Sequence, residues 1–169
     1  MNFYYKHIFK RVTGLISSPV SGWKAMKSES GYLPETFSLL FVCCALAGSA
    51  SLIRNMHWAS ETFVLFFTMV ISSVSARFLS PKVRNNNWEG TLNLIVYSSV
   101  PALICYSLSL LIGYRLWLLP PGLLYSVGLL SVGISVFTGA KSFNTVKLTV
   151  GFICVIFTAG YVSLVLLSV

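Results

Sequence analysis

Residues 91–113 read TLNLIVYSSVPALICYSLSLLIG, and this stretch decides the fold class of the chain. It carries no charged side chain and exceeds the roughly 20 apolar residues that a helix needs to cross a bilayer. Four similar stretches lie at about 33–53, 62–79, 116–138 and 146–168. The pattern predicts an all-α, polytopic membrane protein with a five-helix transmembrane bundle over residues 33–169. Residues 1–32 precede it as a cytoplasmic amphipathic segment.

The composition agrees with a membrane protein and excludes several other classes. Hydrophobic residues make up 56 % and charged residues 9 % of the 169 residues, and the mean hydropathy is +0.80. Soluble domains carry roughly 25 % charged residues. The chain contains no Asp, which excludes aspartyl-phosphate chemistry and Asp-based metal loops. Its net charge of +8 is spread in small groups between apolar stretches, a distribution that argues against nucleic acid as a partner.

The basic residues predict the orientation, because cytoplasmic loops hold the excess of Lys and Arg. With the N-terminus in the cytoplasm, ten of the twelve fall inside, and only Arg54 and Arg115 fall outside. The C-terminus is then outside, and the odd number of spans follows from the same alternation. The chain is expected to be a multi-pass integral protein, in the plasma (inner) membrane if it is bacterial.

The N-terminal segment carries apolar residues at helical spacing, namely Tyr5, Ile8, Phe9, Val12 and Ile16. Ser18 and Pro19 predict the start of a second short helix, which turns Val20, Trp23 and Met26 or Lys27 toward one side. Such helices lie flat on anionic membranes or pack on the cytoplasmic end of the bundle, and the sequence leaves both open. The predicted membrane-surface residues are Lys6, Lys10, Arg11, Pro19, Trp23, Lys24 and Lys27.

All four tryptophans, Trp23, Trp58, Trp88 and Trp117, fall at predicted interfaces.

Residue types that support catalysis or metal binding are sparse. The two histidines, His7 and His57, lie outside the spans, and the four cysteines lie within apolar stretches without a CxxC pair. Buried cysteines of this kind act as small hydrophobes. We therefore predict no catalytic, cofactor-binding or metal-binding residues, no cofactor and no enzymatic activity.

The third predicted span has one polar face, which makes it the candidate functional element. Pro101 has no N–H, so the carbonyl of Tyr97 loses its intrahelical donor. Asn93, Tyr97 and Pro101 lie on one face at a spacing of four residues, and an amide and a phenol on that face are costly against lipid. The face is predicted to turn inward, with Ser98 and with Ser131 or Ser135 of the fourth span as polar neighbours. It forms either a structural packing kink or a groove that faces lipid or a partner.

The order of these features resembles the Yip domain family, the Ypt/Rab-GTPase-interacting membrane proteins. The matching elements are Pro19-x-x-x-Trp23, the segment VYSSVPALI at 96–104 and the Pro120–Pro121 pair that opens the fourth span. The resemblance implies a five-span, non-enzymatic protein with a cytosolic N-terminus. Eukaryotic members are linked to Rab GTPases through a long acidic tail. This chain has a short tail without Asp, as in the short prokaryotic relatives, which argues against a Rab-type partner.

Two functions therefore remain for the candidate face. The first is a non-enzymatic module that organises membrane partners, lipids or oligomers, with the lipid bilayer, copies of itself or other membrane proteins as partners. Small residues spaced by four, such as Cys43, Ala47 and Ser51, permit close helix packing for such assemblies. The alternative is a small transporter, channel or lipid-scrambling protein with a groove beside the Pro101 kink.

Overall fold

The computed structural model describes residues 3–28, 33–52, 58–79, 88–112, 116–139 and 142–167. These segments are helical apart from short turns, and no strand occurs among them. The helices are α1 (Phe3–Ser17), α2 (Pro19–Ser28), α3 (Leu33–Leu52), α4 (Trp58–Ser75), α5 (Trp88–Leu111), α6 (Leu119–Thr138) and α7 (Ser142–Leu167). A 3-10 turn extends α4 at Ala76–Phe78, and another precedes α6 at Leu116–Leu118.

Each of the five apolar stretches coincides with one long helix, and the bounds differ from the prediction by a few residues. The largest differences are at the starts of α4 and α7. Each of these helices begins earlier than predicted, with polar residues that do not belong to the apolar stretch. The termini of α6 follow ordinary end signals. Its first turn holds two prolines, and it ends at Gly139, whose φ of 60° is the left-handed conformation that glycine adopts without strain.

Three described helices are long and apolar enough to cross a membrane by themselves: Leu33–Ala50 of α3, α5 and α6. The apolar parts of α4 and α7 are shorter, covering Thr62–Phe78 and Asn144–Ala159 within the described residues. The described part of the chain is thus all-helical and contains three candidate membrane spans.

Helix α5 lies at the centre of the bundle. It packs against α3, α4 and α6, while α7 covers α4 and α6. Its buried side chains include Leu92, Ile95, Val96 and Val100, whereas the long helices around it leave apolar residues such as Phe41, Leu124 and Phe157 exposed on their outer faces. An apolar exterior around a central helix is the expected arrangement for a bundle solvated by lipid.

The N-terminal helices form a hairpin that packs on the bundle. Helix α1 lies against α2, and α2 lies against α6. We call α1 and α2 together the N-terminal hairpin. Its turn falls at Ser18, and α2 begins at Pro19, as the sequence predicts.

Candidate functional site

The polar face of α5 turns into the bundle, in the orientation that the sequence predicts. Tyr97 is 2 % exposed. The half-buried Asn93 accepts a hydrogen bond through Oδ1 from the Thr36 hydroxyl of α3. The Asn93 amide oxygen therefore has a protein partner one helix away, so no lipid or water is needed to satisfy it.

Next to Pro101, a side chain of α6 takes part in the backbone hydrogen bonding of α5. The helix continues through Pro101, and the N–H of Ala102 donates to Ser126 Oγ at 3.0 Å. Proline in a membrane helix is tolerated where a neighbouring Ser or Thr satisfies the backbone groups that it disturbs. Ser126 has this role here.

Gly122 allows the two helices to come this close. A Cβ added at Gly122 would lie 2.7 Å from both Cβ and Sγ of Cys105, and 3.1 Å from the carbonyl oxygen of Pro101. Gly122 and Ser126 are spaced by four residues, so together they form a small-residue face of α6 against α5.

The three serines that the sequence predicts beside this face differ in their burial. Ser98 is buried, but its hydroxyl donates to Ile95 O of its own helix at 3.1 Å. Ser131 is half-buried, and Ser135 is exposed, so the expectation that Ser135 lies beside the polar face is wrong. Sequence reasoning missed Ser126 and Thr36. The signal available for Ser126 was its spacing of four residues from Gly122, since small-residue pairs of this kind mark helix contacts.

A second contact on α6 holds the N-terminal hairpin. Trp23 is 0 % exposed, and its indole N–H donates to the carbonyl of Leu129 at 3.0 Å. Its ring meets Phe137 edge-on, with centroids 5.8 Å apart, and a Cβ at Gly133 would lie 2.9 Å from it. The prediction that Trp23 lies on the membrane surface is therefore wrong, because its ring fills a slot that Gly133 leaves open.

The hairpin extends along the side of α6. Lys27 Nζ donates to the carbonyls of Val136 and Phe137 at 2.8 and 3.2 Å, near the C-terminal end of α6 where cations are favourable. At the other end of the contact, the Tyr125 hydroxyl donates to Ile16 O at 2.7 Å. From Tyr125 to Phe137 this contact covers about 18 Å of helix. Of the two placements that the sequence leaves open, the structure has the hairpin packed on the bundle.

Arg11 connects the hairpin to α3. Its Nη1 lies 2.6 Å from Glu35 Oε2, and the two side chains are 10 % and 6 % exposed. The guanidinium of Arg11 is thus paired with the acid in the first turn of α3, and its place at the membrane surface stays a prediction.

The apolar face of α1 differs from the predicted one by about one residue. Ile8 and Leu15 are buried, whereas Phe9 and Ile16 are exposed. The predicted surface residues Lys6, Lys10 and Lys24 are exposed and Pro19 is half-buried.

Of the remaining tryptophans whose side chains are described, Trp88 packs on Phe37 with centroids 6.0 Å apart, and Trp117 is 65 % exposed. The side chain of Trp58 lies outside the described residues.

Within the described segments, no group of three or more His, Cys, Asp or Glu side chains lies close enough to hold a metal ion. The cysteines are free thiols, with Cys43 and Cys44 buried. The chemistry available at both contacts on α6 is therefore hydrogen bonding and close packing.

The chain was compared with protein families, curated proteins and solved structures. Residues 13–166 match the Yip1 domain. No curated protein and no solved structure matches. The family match begins in the second half of α1 and extends almost to the end of α7, so it includes the hairpin turn, Trp23, and both contacts on α6. The resemblance inferred from the Pro19–Trp23 and Tyr97–Pro101 elements is confirmed, and the chain belongs to the Yip1 domain family.

Proposed function

We propose that this Yip1-domain protein is a non-enzymatic membrane module that organises membrane partners, lipids or oligomers. The observation that carries the proposal is the pairing of the polar groups on α5. Asn93 is bonded to Thr36, and Ala102 N–H to Ser126. Polar groups that satisfy one another through protein contacts make a bundle rigid, whereas a transport pathway needs polar groups that remain available to line it.

The proposal includes five spans. Helix α4 packs against α3, α5 and α7, and its 3-10 turn continues it to Phe78. Helix α7 has 26 residues, a length of about 39 Å, which exceeds the roughly 30 Å hydrocarbon core. Both helices therefore have the dimensions of spans, and their packing within the bundle supports placing all five together.

The orientation in the proposal has the N-terminus inside and the C-terminus outside, because ten of the twelve basic residues then lie inside. Single cysteines at Ser28 and Ser168, in a background without the four native cysteines, test it with an impermeant maleimide. Ser28 should label only in opened or inverted vesicles, whereas Ser168 should label already in intact cells. Labelling of both from the same side would contradict the five-span arrangement.

Reconstituted liposomes test the absence of transport. We expect pure protein to give lipid-flip and solute-flux rates equal to those of empty vesicles, while cross-linking in native membranes gives discrete adducts with itself or with other membrane proteins. A flux or flip rate that rises with protein content would refute the organising function in favour of transport.

One observation supports the alternative of a lipid-handling protein. A cleft of about 420 Å³ opens between α3 and α5, on the Leu111 side of Pro101. Its lining is mainly apolar and includes Leu46, Ala50, Leu103 and Leu108. Such a cleft suits an acyl chain better than a polar solute, so lipid flip is the more informative of the two liposome assays.

A further inference from the structure

The N-terminal hairpin contains an open groove between its two helices. The groove has a volume of about 460 Å³. Basic and imidazole side chains of α1 line one part of it, and small or hydroxyl-bearing residues such as Gly14, Ser17 and Ser21 line most of the rest, together with Met26. The slot that holds Trp23 is separate from this groove, because it lies on the side of α2 that faces α6.

Two glycines give the groove its shape. A Cβ at Gly22 would lie 3.0 Å from the Cα of Leu15, so Gly22 lets α1 and α2 approach closely. A Cβ at Gly14 would meet nothing within 4 Å. Glycine in a helix interior costs roughly 0.5–1 kcal/mol relative to alanine, and at Gly14 no neighbour requires it. The space that Gly14 leaves is part of the groove.

The charge of the hairpin is strongly positive. Residues 3–28 contain five Lys and Arg, which are Lys6, Lys10, Arg11, Lys24 and Lys27, and no acidic residue. Glu35 offsets the charge of Arg11. Lys10 lines the groove and is exposed. The Lys10 ammonium can donate to phosphate oxygens, whereas the Ser17 and Ser21 hydroxyls donate to the backbone carbonyls of Gly14 and Ser18.

We propose that this groove binds the phosphate of an anionic phospholipid. The choice of a lipid over a soluble phosphate ester rests on the apolar side chains of the same hairpin. Phe9, Ile16 and Val20 are exposed, in a chain that belongs to a membrane-protein family. Exposed apolar residues together with basic ones on one helical element are characteristic of contact with lipid. The inference deepens the proposed organising function, because it names the lipid class.

Native mass spectrometry of the full-length protein in neutral detergent tests the site. The probes are dioctanoyl phosphatidylglycerol and, as the zwitterionic comparison with zero net charge, dioctanoyl phosphatidylcholine. We expect phosphatidylglycerol to bind about tenfold more tightly, because the choline ammonium of the comparison lipid offsets its phosphate and is repelled by the basic hairpin. Equal affinity for the two lipids would overturn the proposal.

Lys10→Gln and Lys24→Gln form a matched pair. Both remove one exposed charge from the hairpin, but only Lys10 lines the groove. We expect Lys10→Gln to weaken phosphatidylglycerol binding about tenfold and Lys24→Gln to change it less than about threefold. Equal losses would mean that the hairpin attracts anions through its overall charge, and the groove site would be wrong.

Gly14→Leu fills the groove without removing a charge, and Gly128→Leu is its control. A Cβ at either glycine would have no neighbour within 4 Å, and Gly128 lies on α6, away from the groove. We expect only Gly14→Leu to abolish the preference for phosphatidylglycerol. Unchanged binding in Gly14→Leu would contradict the site.

Competition with inorganic phosphate and glycerol 3-phosphate shows whether the groove prefers a phospholipid or a soluble phosphate compound. We expect neither to displace phosphatidylglycerol at equal concentration. Displacement would overturn the lipid assignment in favour of a soluble phosphate ester. These measurements are independent of the liposome flux and flip assays. Loss of the lipid site would therefore not contradict the non-transport function, and transport activity would not contradict the lipid site.

Discussion

Helix α6 makes two contacts, and in each of them a glycine allows close approach and an oxygen atom accepts a hydrogen bond. Against α5 it offers Gly122 for close approach and a Ser126 hydroxyl that accepts a backbone N–H. Against the N-terminal hairpin it offers Gly133 and the backbone carbonyl of Leu129, which accepts the indole N–H of Trp23. The first contact joins two long apolar helices. The second holds a short, basic element mainly through the buried Trp23 ring, with hydrogen bonds of Lys27 and Tyr125 on either side of it.

The difference concerns where the stabilisation is concentrated. Between α5 and α6 it is distributed along two backbones, as is usual for membrane helices. In the hairpin it is concentrated in Trp23, which contacts α6, and in the ion pair of Arg11 with Glu35 of α3. Single substitutions should therefore have larger effects in the hairpin, and matched controls elsewhere in the chain can test this.

The largest effect is expected for Trp23→Ala. It removes a fully buried ring and its hydrogen bond to Leu129, and should lower the free energy of unfolding by about 3–5 kcal/mol. Denaturant titration in mixed micelles measures the change. Trp117→Ala is the control, because that ring is mostly exposed, and it should cost less than about 1 kcal/mol. A similar loss of stability in the two variants would show that the stabilisation of the hairpin contact is not concentrated in Trp23.

Glu35→Gln should follow, with a loss of about 2–3 kcal/mol. It leaves the nearly buried guanidinium of Arg11 without its charge partner. In a double-mutant cycle with Arg11→Gln, the double variant should lose at least about 1 kcal/mol less than the sum of the two single changes. Additive losses would show that the pair does not couple the hairpin to α3.

Gly122→Ala should cost about 1–3 kcal/mol, because the new methyl group would lie 2.7 Å from Cβ of Cys105, an atom fixed to the α5 backbone. Gly128→Ala introduces the same methyl group on the same helix into open space. It should leave stability unchanged or raise it by up to about 1 kcal/mol through helix propensity. Thermal unfolding of the two variants side by side gives the comparison, and a loss at Gly128 equal to that at Gly122 would contradict it.

Ser126→Ala should have the smallest effect of the four, about 1 kcal/mol, which is the usual scale of interhelical hydrogen bonds in membranes. It deprives Ala102 N–H of its acceptor on α6. Ser135→Ala, on the exposed face of the same helix, should change stability by less than about 0.5 kcal/mol. Hydrogen exchange at Ala102 provides a local measurement, and it should accelerate in Ser126→Ala alone.

Several features of the fold follow from the sequence because they depend on local composition. Apolar length predicts the long helices to within a few residues, since a helix in lipid must satisfy its own backbone. The inward orientation of Tyr97 is predicted in the same way, because its spacing from Asn93 and Pro101 and the cost of polar groups in lipid are properties of one helix. The order of the Pro19–Trp23 and Tyr97–Pro101 elements likewise identifies the family.

The tertiary structure alone decides which residues meet. The choice of Ser126 over Ser131 and Ser135 depends on the rotation and offset of α6 against α5, and these follow from the close approach at Gly122. The docking of the hairpin depends on one indole fitting beside Gly133, more than 100 residues away in the chain. Hydropathy and periodicity describe a single helix and its average surroundings, so they predict that Trp23 prefers an interface. Only the shape of the neighbouring helix determines that the ring is buried against α6.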